Sequence, residues 1–197
     1  MGSIMGPDNN EQYLTDPDVR SMLKVQQGDR LAFETLMKKY FPLILNFIYR
    51  FLGTREAAED LTQEVFLKVF HQAQNYVPRS SFKTWIYVIA RNASLNELRR
   101  NKHRDIDTEI TGEEIDTASG SRPEEAAIQN ETTAQVREAI EQLPERQRTA
   151  LILNRYDELS YEEIATIMKL SPKAIKSLLM RARESLKKIL TPLLLDN

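Results

Sequence analysis

The sequence contains no cysteine. Disulfides, thiolate metal centres and cysteine nucleophiles are therefore excluded, and a reducing compartment is implied. Histidine is nearly as scarce: His71 and His103 are the only two, too few for a His-rich metal site. They also make a Ser-His-Asp triad a poor explanation of the chain. No apolar run approaches the ~18 residues that span a bilayer, and the opening MGSIMGPDNNEQ lacks a signal-peptide core. The expectation is a cytoplasmic protein with no membrane insertion. No Gly-rich phosphate loop occurs, and the acids are patterned as surface. No catalytic residue, metal or cofactor is expected, so the chain reads as something other than an enzyme. Strand-like alternation is nowhere sustained.

What the chain does have is charge sorted by position. Its 197 residues carry a net charge of only −2. Residues 21–104 hold 14 basic and 7 acidic groups, a net +7, whereas residues 105–134 hold nine acids against Arg122 alone, a net −8. Residues 135–197 return to a net +2, with 11 basic and 9 acidic groups. Two basic blocks around an acidic one suggest two nucleic-acid-facing modules and a connector. The acidic stretch lacks aromatics and holds Gly, Ser and Pro, so it buries too little apolar surface to offset chain entropy. The expected division is an N-terminal domain at 16–104, a flexible acidic linker at 105–130 and a C-terminal domain at 131–190. Fully extended, such a linker reaches at most roughly 90 Å.

Both domains read as helical, giving an all-α fold. Asp16-Pro17 is an N-cap followed by a first-turn Pro, and Gly28 closes that first helix. A second helix follows Asp29 and is apolar on nearly all sides, from Leu31 to Leu52. It is therefore expected to be buried all round and bent at Pro42. Thr54 is placed as the cap of a third helix with an inward stripe of Ala58, Leu61, Val65 and Val69. Ser80 or Ser81 opens a fourth, running toward Arg100.

Three surfaces carry candidate chemistry. On the third helix Asp60, Gln63, Glu64 and Leu67 share one outer face, which is either a solvated side or a docking face for a basic partner helix. On the fourth, Trp85, Ile89, Asn92, Asn96 and Arg100 fall on one side, apolar at first and polar at the end, with Arg99 beside them. Asn presents paired donors and acceptors to base edges, and Arg neutralises phosphates; a helix leaving its core would show the same gradient. Upstream, Tyr76, Arg79, Phe82, Lys83 and Trp85 interleave rings with cations, as single-stranded bases require, with Phe82 and Trp85 expected in the core. The sharpest signal lies at Ser160–Leu190. Ser160 and Glu163 form a capping box, Ser171-Pro172 opens a second helix, and Lys173, Lys176, Ser177, Met180 and Lys187 line its outer face, with Arg181 and Arg183 flanking. This is a helix-turn-helix with recognition-helix chemistry, set against a plain amphipathic bundle. Lys169 occupies a turn position often held by Gly, where a left-handed backbone costs a little.

AEDLTQEVFLKVF (Ala58–Phe70), SFKTWIYVIARN (Ser81–Asn92), LPERQRTALILNRYDELSYEEIATIM (Leu143–Met168) and AIKSLLMRAR (Ala174–Arg183) together resemble the extracytoplasmic-function (ECF, group IV) branch of bacterial RNA polymerase sigma factors. The resemblance covers both domains. It implies that Asp60, Gln63, Glu64 and Leu67 bind core RNA polymerase. It implies that Tyr76, Arg79, Lys83, Asn92, Asn96, Arg99 and Arg100 capture the minus-ten strand as promoter DNA opens. It implies that Ser171, Lys173, Lys176, Ser177, Met180, Arg181 and Arg183 read the minus-thirty-five duplex. An anti-sigma factor and a stress or envelope regulon also follow from the family. Many relatives have Thr, Arg and Asp where this chain has Ala174, Leu178 and Asn96. A polymerase-independent helix-turn-helix repressor and a sigma mimic stay open at this point.

Overall fold

The computed structural model describes residues 11–111 and 135–195, with the side chains of 11, 102–111 and 193–195 outside the description. Among the described residues every element is helical, and all but two short 3-10 segments are α-helices. The expected acidic linker falls largely outside them.

The N-terminal unit comprises α1 (Pro17–Gln26), α2 (Arg30–Leu52), α3 (Arg55–Gln72) and α4 (Phe82–Thr111), with short 3-10 turns at Glu11–Thr15 and Ala73–Asn75. Helix α4 continues seven residues past the boundary at 104 expected from charge. Asp16 and Asp29 cap α1 and α2 with their side chains. Gly28, at φ 93°, lies between them. Its N–H bonds the Val25 carbonyl and that of Asp29 bonds Lys24, a left-handed helix stop that Gly adopts without a Cβ penalty.

Two expectations need correcting. Helix α2 is not buried all round: Ala32, Leu36, Tyr40, Ile44, Phe47, Ile48 and Phe51 face the core, while Leu31 is 72% exposed and Met37 and Leu43 also face outward. Three neighbouring helices cover one side of a central helix, and the apolar residues of its other side are left uncovered. Pro42 lies inside the helix, where the sequence placed it; its missing N–H costs one backbone bond, to the carbonyl of exposed Lys38. Thr54 occupies the N-cap position of α3 but makes no side-chain cap bond.

The core is aromatic. Phe47 stacks against Phe51 and Tyr87, Tyr40 meets Phe82 edge-on, and Phe41 lies against Phe66. Each such pair adds about 0.5–1.5 kcal/mol beyond its area burial.

The C-terminal unit comprises α5 (residues 135–141), α6 (Glu145–Arg155), α7 (Tyr161–Met168) and α8 (Pro172–Leu195). Helix α6 packs on α8 over a small aliphatic core that includes Ile152, Leu153, Leu159, Ile164, Ile175 and Leu179. The turn before α7 is braced twice: the Leu159 N–H bonds the Leu153 carbonyl at 3.1 Å, and Asn154 donates its side-chain amide to the Leu159 carbonyl at 3.2 Å.

Candidate nucleic-acid interface

The helix-turn-helix is built from local signals. Ser160 Oγ accepts from the Glu163 N–H at 3.2 Å, and the Glu163 carboxylate accepts from the Ser160 N–H at 2.8 Å, a reciprocal capping box that starts α7. That helix stops at Lys169, whose φ of 54° is left-handed as expected. Lys169 donates to the Thr166 carbonyl at 3.4 Å and Leu170 to Ala165 at 3.0 Å, so a Lys fills the position Gly28 fills after α1. Ser171 Oγ then accepts from the Ala174 N–H at 3.2 Å and opens α8.

Helix α8 brings the expected readers together. Lys173, Lys176, Met180, Arg181 and Arg183 are exposed and Ser177 is half-exposed, while Ile175, Leu179 and Ala182 are buried beneath them. None of the four exposed cations forms an ion pair with another described residue. Met180 is 55% exposed, an apolar side chain among cations, suited to contact with a thymine methyl. Two hydroxyls are partly engaged: Ser171 caps the helix, and Ser177 donates to the Lys173 carbonyl at 3.1 Å.

The fourth helix places its residues less uniformly. Asn92, Asn96, Arg99 and Arg100 are all exposed, and the buried stripe ends at Leu95, so the helix changes from core to surface where the sequence changes from apolar to polar. Arg100 is already held by Glu97 at 3.0 Å, and the Asn92 carbonyl oxygen lies 3.5 Å from the Arg91 guanidinium. Lys83 sits nine positions before Asn92, about half a turn around the helix, and does not share that face. Arg79 is exposed on the loop leading into α4.

The aromatic expectations are partly exchanged. Phe82 is fully buried, as expected, but Trp85 is only half-buried, and Tyr76 is the ring that enters the core at 4% exposure. Tyr76 meets Trp85 edge-on at 4.9 Å, and burial, with the charge of Asp16, pushes its hydroxyl well above the usual phenol range. As a stacking platform Tyr76 is therefore covered, and Trp85 is the more accessible ring.

On α3 the buried stripe Ala58, Leu61, Thr62, Val65, Phe66 and Val69 leaves Asp60, Gln63, Glu64 and Leu67 exposed together on the other side. Leu67 is 59% exposed, and one turn on, Phe70 is also exposed while touching Phe33 edge-on at 5.2 Å. Phe70 was missed from the sequence, although its spacing of three from Leu67 was the available signal. Near it, Val25, Gly28, Arg30 and His71 line a shallow cavity of about 360 Å³. Among the described residues no group of three or more His, Asp or Glu could hold a metal ion, and no helix is long and apolar enough to cross a membrane.

Comparison with known proteins meets this geometry at both units. Residues 36–104 match the sigma-70 region 2 model and residues 133–186 the sigma-70 region 4 model. RNA polymerase sigma-H factor of Pseudomonas aeruginosa is 38% identical over 186 residues, covering 91% of this chain and 96% of that protein. ECF RNA polymerase sigma factor SigW of Bacillus subtilis is 33% identical, covering 86% and 95%, and the ECF sigma-E factor of Escherichia coli K12 is 34% identical, covering 87% and 93%. Among solved structures, CnrH in complex with the cytosolic domain of CnrY has a TM-score of 0.69 at 22% identity, covering 90% of this chain and 99% of that one. The sigma factor RpoE from Bartonella quintana, in complex with the anti-sigma factor NepR, has a TM-score of 0.65 at 24% identity, covering 81% and 96%. These two likenesses concern the fold. Sequence identity at this level and coverage, with a region 2 match followed by a region 4 match, places the chain in the ECF family of RNA polymerase sigma factors.

Proposed function

We propose that this chain is a dissociable specificity subunit that binds core RNA polymerase in the cytoplasm, selects promoters and captures the strand exposed as they open. It belongs to the group IV subclass on this reading and serves a stress or envelope regulon. The N-terminal domain, 16–104, docks on polymerase through Asp60, Gln63, Glu64 and Leu67. It holds the minus-ten strand with Arg79, Lys83, Asn92, Asn96, Arg99 and Arg100, and with the half-buried Trp85 beside Tyr76. The linker, 105–130, lets the C-terminal domain, 131–190, read the minus-thirty-five duplex through Lys173, Lys176, Ser177, Met180, Arg181 and Arg183, with Ser171 starting that helix. The chain performs no chemistry itself; catalysis is the polymerase's. An anti-sigma factor is its expected inhibitor, as for the RpoE and NepR pair.

The observation that carries this reading is the pair of helical surfaces, one ending in amides and arginines on α4 and one presenting cations on α8 that form no ion pair with another described residue. A net +2 on residues 135–197 is too little for tight autonomous DNA binding, so affinity comes from tethering both domains to polymerase. In vitro transcription with core polymerase over a genomic library tests it. Defined start sites that depend on the added chain support the reading. Tight operator binding by the chain alone, with no start sites, would make it a repressor instead.

A further inference from the structure

One side chain that none of these surfaces uses connects two of their supports. Asp16 Oδ1 accepts from the Asp18 N–H at 2.8 Å and caps α1, while its Oδ2 accepts from the Phe82 N–H at 3.3 Å. Phe82 is the first residue of α4, 66 positions away. The rest of that helix start is served locally, since Ser81 Oγ accepts from the Thr84 N–H at 3.1 Å. The far end of α1 holds the same loop: Gln26 donates its side-chain amide to the Gln74 carbonyl at 2.9 Å and toward that of Tyr76 at 3.4 Å. Between the two tethers the buried Tyr76 hydroxyl has no hydrogen-bond partner among the described residues, and its ring packs edge-on against Trp85, so the attachments to α1 add to the loop's few local bonds, such as that from the Tyr76 N–H to the Ala73 carbonyl at 3.1 Å.

We propose that Asp16 is a positioning residue for strand capture, fixing the start of α4 and with it the Tyr76–Lys83 loop that carries Arg79. The inference rests on the sigma-factor reading above. Its physical basis is valence. A carboxylate offers two acceptor oxygens and here each serves a different helix, whereas an amide offers one acceptor and one donor. As a plain N-cap, Asn serves as well as Asp. As a bridge it fails, because its NH2 must face one of two N–H donors.

The test uses holoenzyme assembled from core polymerase and the full chain, either wild type, Asp16→Asn or Gln26→Ala. The probe is a single-stranded non-template minus-ten oligonucleotide from a promoter the wild type uses, and affinity for core is measured alongside. Asp16→Asn is expected to weaken oligonucleotide capture roughly five- to tenfold with core affinity unchanged, since it loses a charge-assisted bond. Gln26→Ala should weaken capture about threefold, as befits a neutral bond. Capture by Asp16→Asn equal to wild type would overturn the proposal and leave Asp16 a simple cap. A parallel loss of core affinity would overturn it too, by showing general damage. A wild-type holoenzyme that captures no strand would overturn the sigma-factor reading itself, and this inference with it.

Discussion

Helices α4 and α8 both carry exposed cations, yet they are held in place by different means. The start of α8 is specified within a dozen residues, by a capping box at Ser160, a left-handed stop at Lys169 and a cap at Ser171. The start of α4 has a local cap too, Ser81 Oγ accepting from the Thr84 N–H, but it adds a bond from the Phe82 N–H to a carboxylate 66 positions earlier and follows a loop whose first ring, Tyr76, is buried. Under the proposed function α8 meets duplex DNA, whose regular groove receives a rigid helix, so locally specified geometry suffices there. The same proposal gives the loop before α4 unwound bases to receive, and a shaped loop requires support from several parts of the chain.

The largest effect that could break this comparison is on the aromatic core. Phe82→Ala removes a fully buried ring that touches Tyr40 and Trp85, and should destabilise the N-terminal unit by about 3–5 kcal/mol in chemical denaturation. A loss below 1 kcal/mol would mean that α4 starts independently of that core. Next, Lys176→Ala combined with Arg181→Ala should reduce promoter output by on the order of tenfold or more, with core binding retained. Undiminished transcription would remove α8 from promoter reading. Reversing charge at Asp60 and Glu64 together should weaken polymerase association, measured by co-purification, because both carboxylates are exposed and no ion pair with another described residue holds them. The smallest effect sharpens the contrast between the two helix stops. Lys169→Gly should raise the stability of the C-terminal unit by about 1 kcal/mol, since it relieves a left-handed Lys, while Gly28 already enjoys that freedom.

The contrast also explains what was legible in the sequence. Capping box, Ser-Pro helix start and cation face follow one another within one stretch of sequence, Ser160–Arg183, so α7 and α8 could be read residue by residue. The outer face of α3 was readable for the same reason. By contrast, the bond from Asp16 to Phe82 and the tether from Gln26 to Gln74 join positions with no shared periodicity. The exchange of Tyr76 for Trp85 as the more buried ring accompanies those tethers, since Gln26 bonds the Gln74 carbonyl and reaches toward that of Tyr76, and such distant pairings could not be foreseen from composition. Helix α2 misled in a simpler way: an apolar side chain such as Leu31 says what could be buried, while the number of neighbouring helices decides what is.

The division of labour between the two units is tested most directly by permanganate footprinting of one promoter, with core polymerase and the purified chain present together. The expected pattern is reactive, unpaired thymines at the minus-ten element beside a minus-thirty-five element that remains paired and is protected from nuclease. Thymines that stay unreactive at the minus-ten element, with polymerase bound, would contradict the account.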